Sequence, residues 1–262
     1  MEFLAAIKLG YVLSGFIVGM AVGLTGVGGG SLMTPILILV FHIAPVAAVG
    51  TDLLYAAATK TVGSMMHRAH DTINFKIVGR LALGSVPAAI VTITLLHTLG
   101  IASSKANVLV SVVLAVALMI TAVALVFRNR LLGYYARHVG KLSARRTMFF
   151  TVLTGAILGV LVASTSVGAG ALGVTALILL YPEMPAVRLV GSDIAHAVPL
   201  TLVAGAGHWL LGNIDFALMG TLLLGSIPGI LIGSALAPRV PELFLRRAMA
   251  LVLAFVAIRL VL

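Results

Sequence analysis

Ten apolar segments follow one another along the chain, separated by short polar or glycine-rich stretches. A helix that crosses a bilayer needs about 20 apolar residues, and the second and seventh segments are too short for that. Each of these two short segments follows a glycine-rich break. The pattern predicts an all-α polytopic membrane protein. The segments cover about 3–25, 31–43, 46–66, 76–98, 104–127, 148–165, 171–181, 185–208, 216–237 and 243–262.

The composition indicates a chain that lies in a lipid bilayer. Of its 262 residues, 61% are hydrophobic and 9% are charged, whereas soluble domains carry about 25% charged residues. The net charge of +10 comes from basic residues between the apolar segments, which indicates membrane orientation and not nucleic-acid binding. The absence of cysteine excludes disulfides and thiolate chemistry. No set of residues has metal-ligand spacing, so neither a metal nor another cofactor is predicted.

The basic residues also predict how the chain is oriented. The longest polar stretch, 128–146, carries six Lys and Arg residues and no acid, which assigns it to the cytoplasm by the positive-inside rule. The loops at 67–80 and 238–247 are basic as well, whereas 209–215 has no Lys or Arg and should face outward. The first segment follows Glu2 and no basic leader, so we expect a permanent segment and not a cleaved signal.

The two halves of the chain repeat each other. Residues 49–87 align with 190–228 without a gap, and 14 of 39 positions are identical. These identities include Gly, Pro, Asp and His, which a shared apolar composition would not align, so they indicate a duplication. Because loop 67–80 is basic and its counterpart at 208–216 is not, we expect two inverted repeats of about five helical segments each, with the N-terminus outside. The predicted organisation is a first repeat at 1–127, a basic cytoplasmic linker at 128–147 and a second repeat at 148–262.

Each half contains one glycine-rich break, at 24–35 and at 163–174. Backbone that leaves helical geometry inside a bilayer must be buried in protein or face a water-filled cavity. The first N–H groups of the short helix after each break have no intrahelical partner and carry the positive end of the helix dipole. Because glycine lets a ligand approach the main chain, two such helix starts from opposite halves predict an anion site between them.

The predicted substrate-binding residues are the glycines and hydroxyl residues of both breaks, together with two hydroxyl residues of the segments that follow. They are Thr25, Gly26, Gly28, Gly29, Gly30, Ser31, Ser164, Thr165, Ser166, Gly168, Gly170, Thr51 and Ser192. The alternative is that the glycines only allow close helix packing. For Gly15, Gly19, Gly155 and Gly159, packing is the role we expect.

Asp52 and Asp193 occupy matching positions in the sequences GTD and GSD. An ionisable group within a span is costly and is therefore a functional candidate. Each acid could carry a coupling proton or coordinate a cation; the alternative is a hydrogen-bonded helix entry near the interface. His196 lies three residues after Asp193, on the same helix face, and is the third candidate for proton coupling.

Three further polar residues lie in or near the spans. Lys60 follows Asp52 by eight residues and could neutralise an anionic substrate, but we expect its side chain to snorkel to the cytoplasmic edge. His67 and His208 are repeat partners near segment ends, where histidines are usually structural. No catalytic residue is predicted, because Ser192, Asp193 and His196 are too close in sequence and no nucleophile elbow is present.

The sequence resembles the TauE/SafE sulfite exporter family, also called the 4-toluene sulfonate uptake permeases. The resemblance covers nearly the whole chain and is carried by GLTGVGGGSLMTPIL at 23–37 and VGTDLL at 49–54, with weaker second copies at 163–178 and 190–194. It implies a transporter of sulfite, sulfoacetate or other sulfonates in a bacterial inner membrane. The second copy reads TSVGAG where the first has TGVGGG, so the resemblance does not imply equal roles for the two halves.

Together these features predict a secondary transporter that binds an anion near the middle of the bilayer and exposes it alternately to each side. An anion channel, a carrier of a different small organic anion and an intramembrane enzyme are the alternatives, of which the enzyme is the least supported. The expected partners are the small anion and the lipid bilayer. The oligomeric state is open, with a homodimer among the alternatives.

Overall fold

The computed structural model describes residues 2–25, 30–98, 104–138, 142–236 and 239–261. These ranges form ten α-helices and no strand, which confirms the predicted all-α fold. Five stretches within them are long and apolar enough to cross a membrane: Phe75–Thr98, Ala106–Arg128, Ala144–Thr165, Ala186–Leu210 and Phe216–Leu236. The helices are α1 (Glu2–Thr25), α2 (Gly30–Leu39), α3 (Pro45–Ala69), α4 (Phe75–Thr98), α5 (Ser104–His138), α6 (Ala144–Thr165), α7 (Ala171–Leu180), α8 (Ala186–Leu210), α9 (Phe216–Leu236) and α10 (Glu242–Val261).

The helix boundaries follow the apolar segments closely, with one large difference. Helices α2 and α7 have 10 residues each, as the two short segments predict. Helix α5 does not end near residue 127, because it continues through the basic stretch to His138. This stretch contains no proline, and its Arg, Leu and Ala residues favour helix even where they are polar. Much of the predicted linker is therefore a helical extension of α5.

The helices pack in pairs that match when the two halves are exchanged. Helix α1 packs on α9, and its counterpart α6 packs on α4. The equivalent helices α3 and α8 pack on each other, and so do α5 and α10. Helix α3 also contacts α9, and α8 also contacts α4. The duplication seen in the sequence thus extends to the helix contacts, whereas the opposite orientation of the two halves in the bilayer stays a prediction.

Glycines make the closest of these helix contacts, at positions that are equivalent in the two halves. A Cβ on Gly15 would collide with the carbonyl of Leu222, and a Cβ on Gly155 would collide with the carbonyl of Leu81, the repeat partner of Leu222. Gly19 and Gly159 approach Ser226 and Ser85 in the same way. Small residues at such spacing allow membrane helices to touch, as predicted for these four glycines.

We expect Gly84→Ala to lower the thermal midpoint of the detergent-purified protein, because a Cβ there would meet the backbone of Val152 on α6. Overpacking of this kind costs about 1–3 kcal/mol. Gly79→Ala on the same helix is the matched control, since no atom lies within 4 Å of the Cβ position. The repeat partners Gly225 and Gly220 provide a second pair with the same contrast. Equal midpoints for Gly84→Ala and Gly79→Ala would contradict the close approach of α4 and α6.

Candidate functional site

The hydroxyls of Thr51 and Ser192 connect the two halves. Thr51 Oγ1 accepts a hydrogen bond from the backbone N–H of Asp215 (3.1 Å), immediately before α9. Ser192 Oγ accepts the equivalent bond from the N–H of Asn74 (2.9 Å), immediately before α4. Both residues were predicted to bind substrate, but these hydroxyls are buried and already bonded, which favours a structural role. The hydrogen-bonded helix entry that GTD and GSD suggested does exist, although it serves the start of a helix in the other half.

The second break has the interrupted backbone that its glycines predict. Helix α6 ends at Thr165, and Ser166 then adopts a left-handed conformation with φ of 61°. Gly168 and Gly170 have φ of 122° and 111°, which an L-amino acid rarely adopts. The hydroxyls of Ser164 and Thr165 donate to carbonyls of their own helix, at 2.7 Å and 2.6 Å. Ser166, the third hydroxyl residue predicted in this break, has no hydrogen-bond partner for its Oγ among the described residues.

The first break lies largely outside the described residues. This applies to Gly26, Gly28 and Gly29, and to the side chain of Thr25, the residue at which α1 ends. Beyond the break, Gly30 is the first residue of α2, and Ser31 is buried in its first turn. The start of the short helix therefore agrees with the prediction.

Asp52 is fully buried and hydrogen bonded. Its Oδ2 accepts a bond of 2.5 Å from Thr34 Oγ1 of α2. The hydroxyl of Ser166, from the second half, interacts electrostatically with the same carboxyl group. Asp52 therefore lies where α2 and the break after α6 meet.

Asp193 is buried beside the N-terminus of α7 and has a different environment. Neither of its carboxyl oxygens has a hydrogen-bond partner among the described residues. The backbone amide of Gly170 interacts with the carboxyl group, and a Cβ at Gly173 would collide with its Oδ1. Its carboxyl group therefore lies at the electropositive start of α7, where the sequence predicted the substrate anion.

Lys60 completes the cluster of charged residues. Its side chain is only 8% exposed and interacts electrostatically with Asp193 and Asp52. The expected snorkelling to the cytoplasmic edge is wrong, since the long side chain is buried near the two acids. Its counterpart in the second half is Thr201, so the cluster holds two acids and one base and departs from the repeat.

His196 and Tyr55 are repeat partners that flank the charged cluster. His196 is fully buried, and its Nε2 lies 2.8 Å from Ser85 Oγ on α4. In the other half, the buried Tyr55 hydroxyl interacts with Ser226 on α9. The Nδ1 atom of His196 has no partner among the residues that the structure describes, which leaves one ring nitrogen facing the interior.

A cavity of 460 Å³ extends from the end of α3 towards the charged cluster. This volume is within the usual range for small-molecule sites. The cavity lies between α1, α3, α8 and α9 and includes Lys60 in its wall. The lining is otherwise mostly apolar. Among its lining residues are Gly23, Lys60, Gly63, His67, Ile194 and Ser234.

Several residues of the site were missed in the sequence. Thr34 lies within the first motif but was not singled out, and its contact with Asp52 depends on tertiary structure. Ser85 and Ser226 carried a signal, because each lies in a repeated LGS(V/I)P sequence. The repeat gave no indication of Lys60, because the second half has Thr201 at the equivalent position.

We expect Gly173→Ala to weaken anion binding strongly while the helical bundle remains folded. The new methyl group would occupy the position of Asp193 Oδ1 and would displace the carboxyl group from the start of α7. Binding affinity and thermal midpoint of the purified variant should be measured together. Gly220→Ala is the control, because no atom lies within 4 Å of its Cβ position. Unchanged affinity in Gly173→Ala would show that the start of α7 is not part of the anion-binding site.

Within the described residues, no three His, Asp or Glu side chains lie close enough together to hold a metal ion. An apolar helical bundle with spans of sufficient length and buried charges at its centre defines a multi-pass membrane protein. The chain belongs to the sulfite exporter TauE/SafE family, whose model matches residues 11–260.

Two relatives support membrane transport as the general function. The chain is 39% identical over 214 residues to the probable membrane transporter protein YjnA of Bacillus subtilis, covering 80% of this chain and 83% of that protein. It is 27% identical over 220 residues to a probable membrane transporter protein of Methanocaldococcus jannaschii, covering 82% of this chain and 76% of that one. No solved structure matches the chain. The protein is therefore a membrane transporter.

Proposed function

We propose that this protein is a secondary transporter that carries a small sulfur-containing anion, such as sulfite or an organosulfonate, together with a proton. The observation that carries the proposal is that the buried Lys60 interacts electrostatically with the buried Asp193, whose carboxyl group lies at the N-terminus of α7. The sulfur is suggested only by the family, and a bacterial inner membrane is the proposed location. That the substrate is an anion is inferred from two positive groups, the ammonium group of Lys60 and the N-terminus of α7.

The charges of the cluster suggest how a proton would be coupled to the anion. In the empty site the Asp193 carboxylate would balance the ammonium group of Lys60, with which it interacts electrostatically. A substrate anion would replace this carboxylate both at Lys60 and at the start of α7. Because an uncompensated charge is costly inside a membrane, Asp193 would take up a proton when it is displaced. Asp52 keeps its bond from Thr34 throughout, and it therefore need not change its charge.

The repeat suggests how the site reaches both sides of the membrane. Rocking of one half against the other would close the cavity that leads to Lys60 and open a route on the opposite side. The start of α2, at Gly30 and Ser31, would contribute to the site from the other half. His196 is the proposed second proton-binding group, because it lies one helical turn from Asp193 and its Nδ1 has no hydrogen-bond partner among the described residues.

Calorimetric titration of the purified protein tests the proposal. Sulfite, sulfoacetate, acetate, phosphate and a neutral sugar should be compared in two buffers of different ionisation enthalpy. We expect sulfite or the sulfonate to bind best, with uptake of about one proton for each sulfonate, a ligand whose sulfonate group does not itself titrate near neutral pH. Binding of only neutral solutes would contradict the anion site, and anion binding without a proton would contradict the coupling.

Flux into liposomes separates a carrier from a channel. A carrier should saturate with substrate and should show counterflow, in which unlabelled anion inside the vesicle drives labelled anion inward. The buried, mostly apolar surroundings of the cluster favour a carrier, since a channel needs a continuous polar lining. A flux that rises linearly with concentration and shows no counterflow would support the channel instead.

A further inference from the structure

A second cavity, of 580 Å³, lies away from the charged cluster, at the end of the bundle where α6 begins. It exists because the short α7 ends at Leu180, and the connection to α8 is therefore recessed against α6. The hydroxyl of Tyr181 lies 2.9 Å from Thr151 Oγ1, two turns into α6, and accepts a hydrogen bond of 3.1 Å from Arg80. The cavity thus extends into the helical bundle from its end.

Apolar side chains separate this cavity from the proposed transport site. A buried cluster lies between α4, α7 and α8, and Tyr181 and Met184, which line the cavity, pack against it. This cluster consists of Ile77, Leu81, Leu177 and Leu189. The second cavity is therefore not an entrance to the site at Asp193, and it requires a different occupant.

An apolar groove of 450 Å³ continues from the cavity along the outer face of α6 and α7. Leu142 and Leu180 line both spaces. Arg146, Phe150 and Thr154 recur once per turn along α6 and extend over about 12 Å. The remaining lining residues, Ala176, Leu179 and Leu180, belong to α7. Phe150 is exposed, as expected of a side chain that faces lipid.

The polar end of these joined spaces is basic. Arg80 and Arg188 line the cavity, and Arg146 lies at the start of the groove. Arg188 is paired with Asp71 at 3.6 Å, and Glu183 also lines the cavity. Arg80 donates one hydrogen bond to Tyr181, but neither Arg80 nor Arg146 has an ion-pair partner among the described residues, so the positive charge of both guanidinium groups remains available to an anion.

We propose that the cavity and groove together bind one anionic phospholipid, with the phosphate between Arg80 and Arg146 and an acyl chain along Phe150 and Thr154. The arrangement matches a molecule that carries a negative headgroup and a hydrocarbon chain. Basic pockets between helices at the cytoplasmic end of membrane proteins are suited to such headgroups. The positive-inside rule assigns this end to the cytoplasm, since the basic stretch 128–146 leads into α6. A soluble anion would leave the apolar groove empty.

Native mass spectrometry of the purified protein with added lipid tests the site. We expect dioleoyl phosphatidylglycerol to remain bound and to raise the thermal midpoint, and phosphatidylcholine to do neither. The double variant Arg80→Gln/Arg146→Gln should bind phosphatidylglycerol about 10- to 30-fold more weakly. The matched control is Arg239→Gln/Arg247→Gln, which removes two exposed arginines near the start of α10 and should bind as the unmodified protein does.

A second variant tests the groove with the arginines intact. Ala176→Phe should fill the groove and weaken phosphatidylglycerol binding while the protein stays folded, as judged by its elution volume in size-exclusion chromatography. Equal binding of the two lipids, or unchanged binding in the Arg80/Arg146 variant, would overturn the proposal. Protection by glycerol 3-phosphate equal to that by the lipid would also overturn it, because the ligand would then be a soluble phosphate.

Discussion

Lys60→Met is expected to abolish most anion binding, with the affinity for sulfite or a sulfonate reduced by about 100-fold. Lys60 is buried, interacts electrostatically with Asp193 and Asp52, and is the positive side chain that the structure places in their cluster. Loss of a buried charge interaction of about 3 kcal/mol corresponds to this factor. Methionine has a similar length and no charge, so the change removes the ammonium group with little change in volume. Calorimetric titration of the purified variant measures the effect.

Two companion variants show whether the effect belongs to the charge. Removing the ammonium group of Lys60 leaves the two buried acids without its compensating charge, which by itself destabilises a protein. The double variant Lys60→Met/Asp193→Asn should regain thermal stability but not affinity. Lys76→Met makes the same change at an exposed lysine on α4 and should bind the anion normally. Normal affinity in Lys60→Met itself would refute the proposed role of the buried ammonium group.

Asp193→Asn is expected to uncouple anion binding from protons. In the unmodified protein, the proposed uptake of one proton on binding should make the affinity fall as pH rises, by up to about tenfold per pH unit. The asparagine cannot take up that proton, so the affinity for a sulfonate, whose sulfonate group does not titrate near neutral pH, should no longer depend on pH. In liposomes, a pH gradient should then fail to drive accumulation, whereas exchange of labelled for unlabelled anion should continue.

Asp52→Asn is the matched control, because Asp52 is the repeat partner of Asp193 and is equally buried. The amide oxygen of the asparagine accepts a weaker hydrogen bond from Thr34 than the carboxylate does, so a moderate loss of stability is expected. The pH dependence of binding should remain. If Asp52→Asn removes the pH dependence and Asp193→Asn keeps it, the two acids have been assigned the wrong roles.

The fold was predictable to the extent that it depends on apolar length. All ten segments are helices, and the two short ones are ten-residue helices, because span length and glycine-rich breaks are local properties. The length of α5 was missed because charge marks a segment as outside lipid but does not prevent helix formation. Positive-inside reasoning locates the basic residues relative to the membrane and does not predict their secondary structure.

The candidate site was predictable only in part, since its key contacts join residues far apart in sequence. The interrupted backbone at Gly168 and Gly170 follows from composition, and the two acids follow from the cost of burying them. The burial of Lys60 does not follow, because a lysine in that segment can extend either to the interface or into the interior. Thr51 and Ser192 looked available in the sequence, and only the structure shows their bonds to the other half.

The packing of α1 on α9 has a consequence for biogenesis. The first helix leaves the ribosome long before its partner, and the glycine face that contains Gly15 and Gly19 finds the complementary backbone only after α9 has been made. Helix α6 has no such delay, because α4 precedes it. Insertion into the membrane and assembly of the bundle must therefore be separate events for α1. The glycine face of α1 has to remain against lipid, or against a chaperone or insertase, until α9 has been translated.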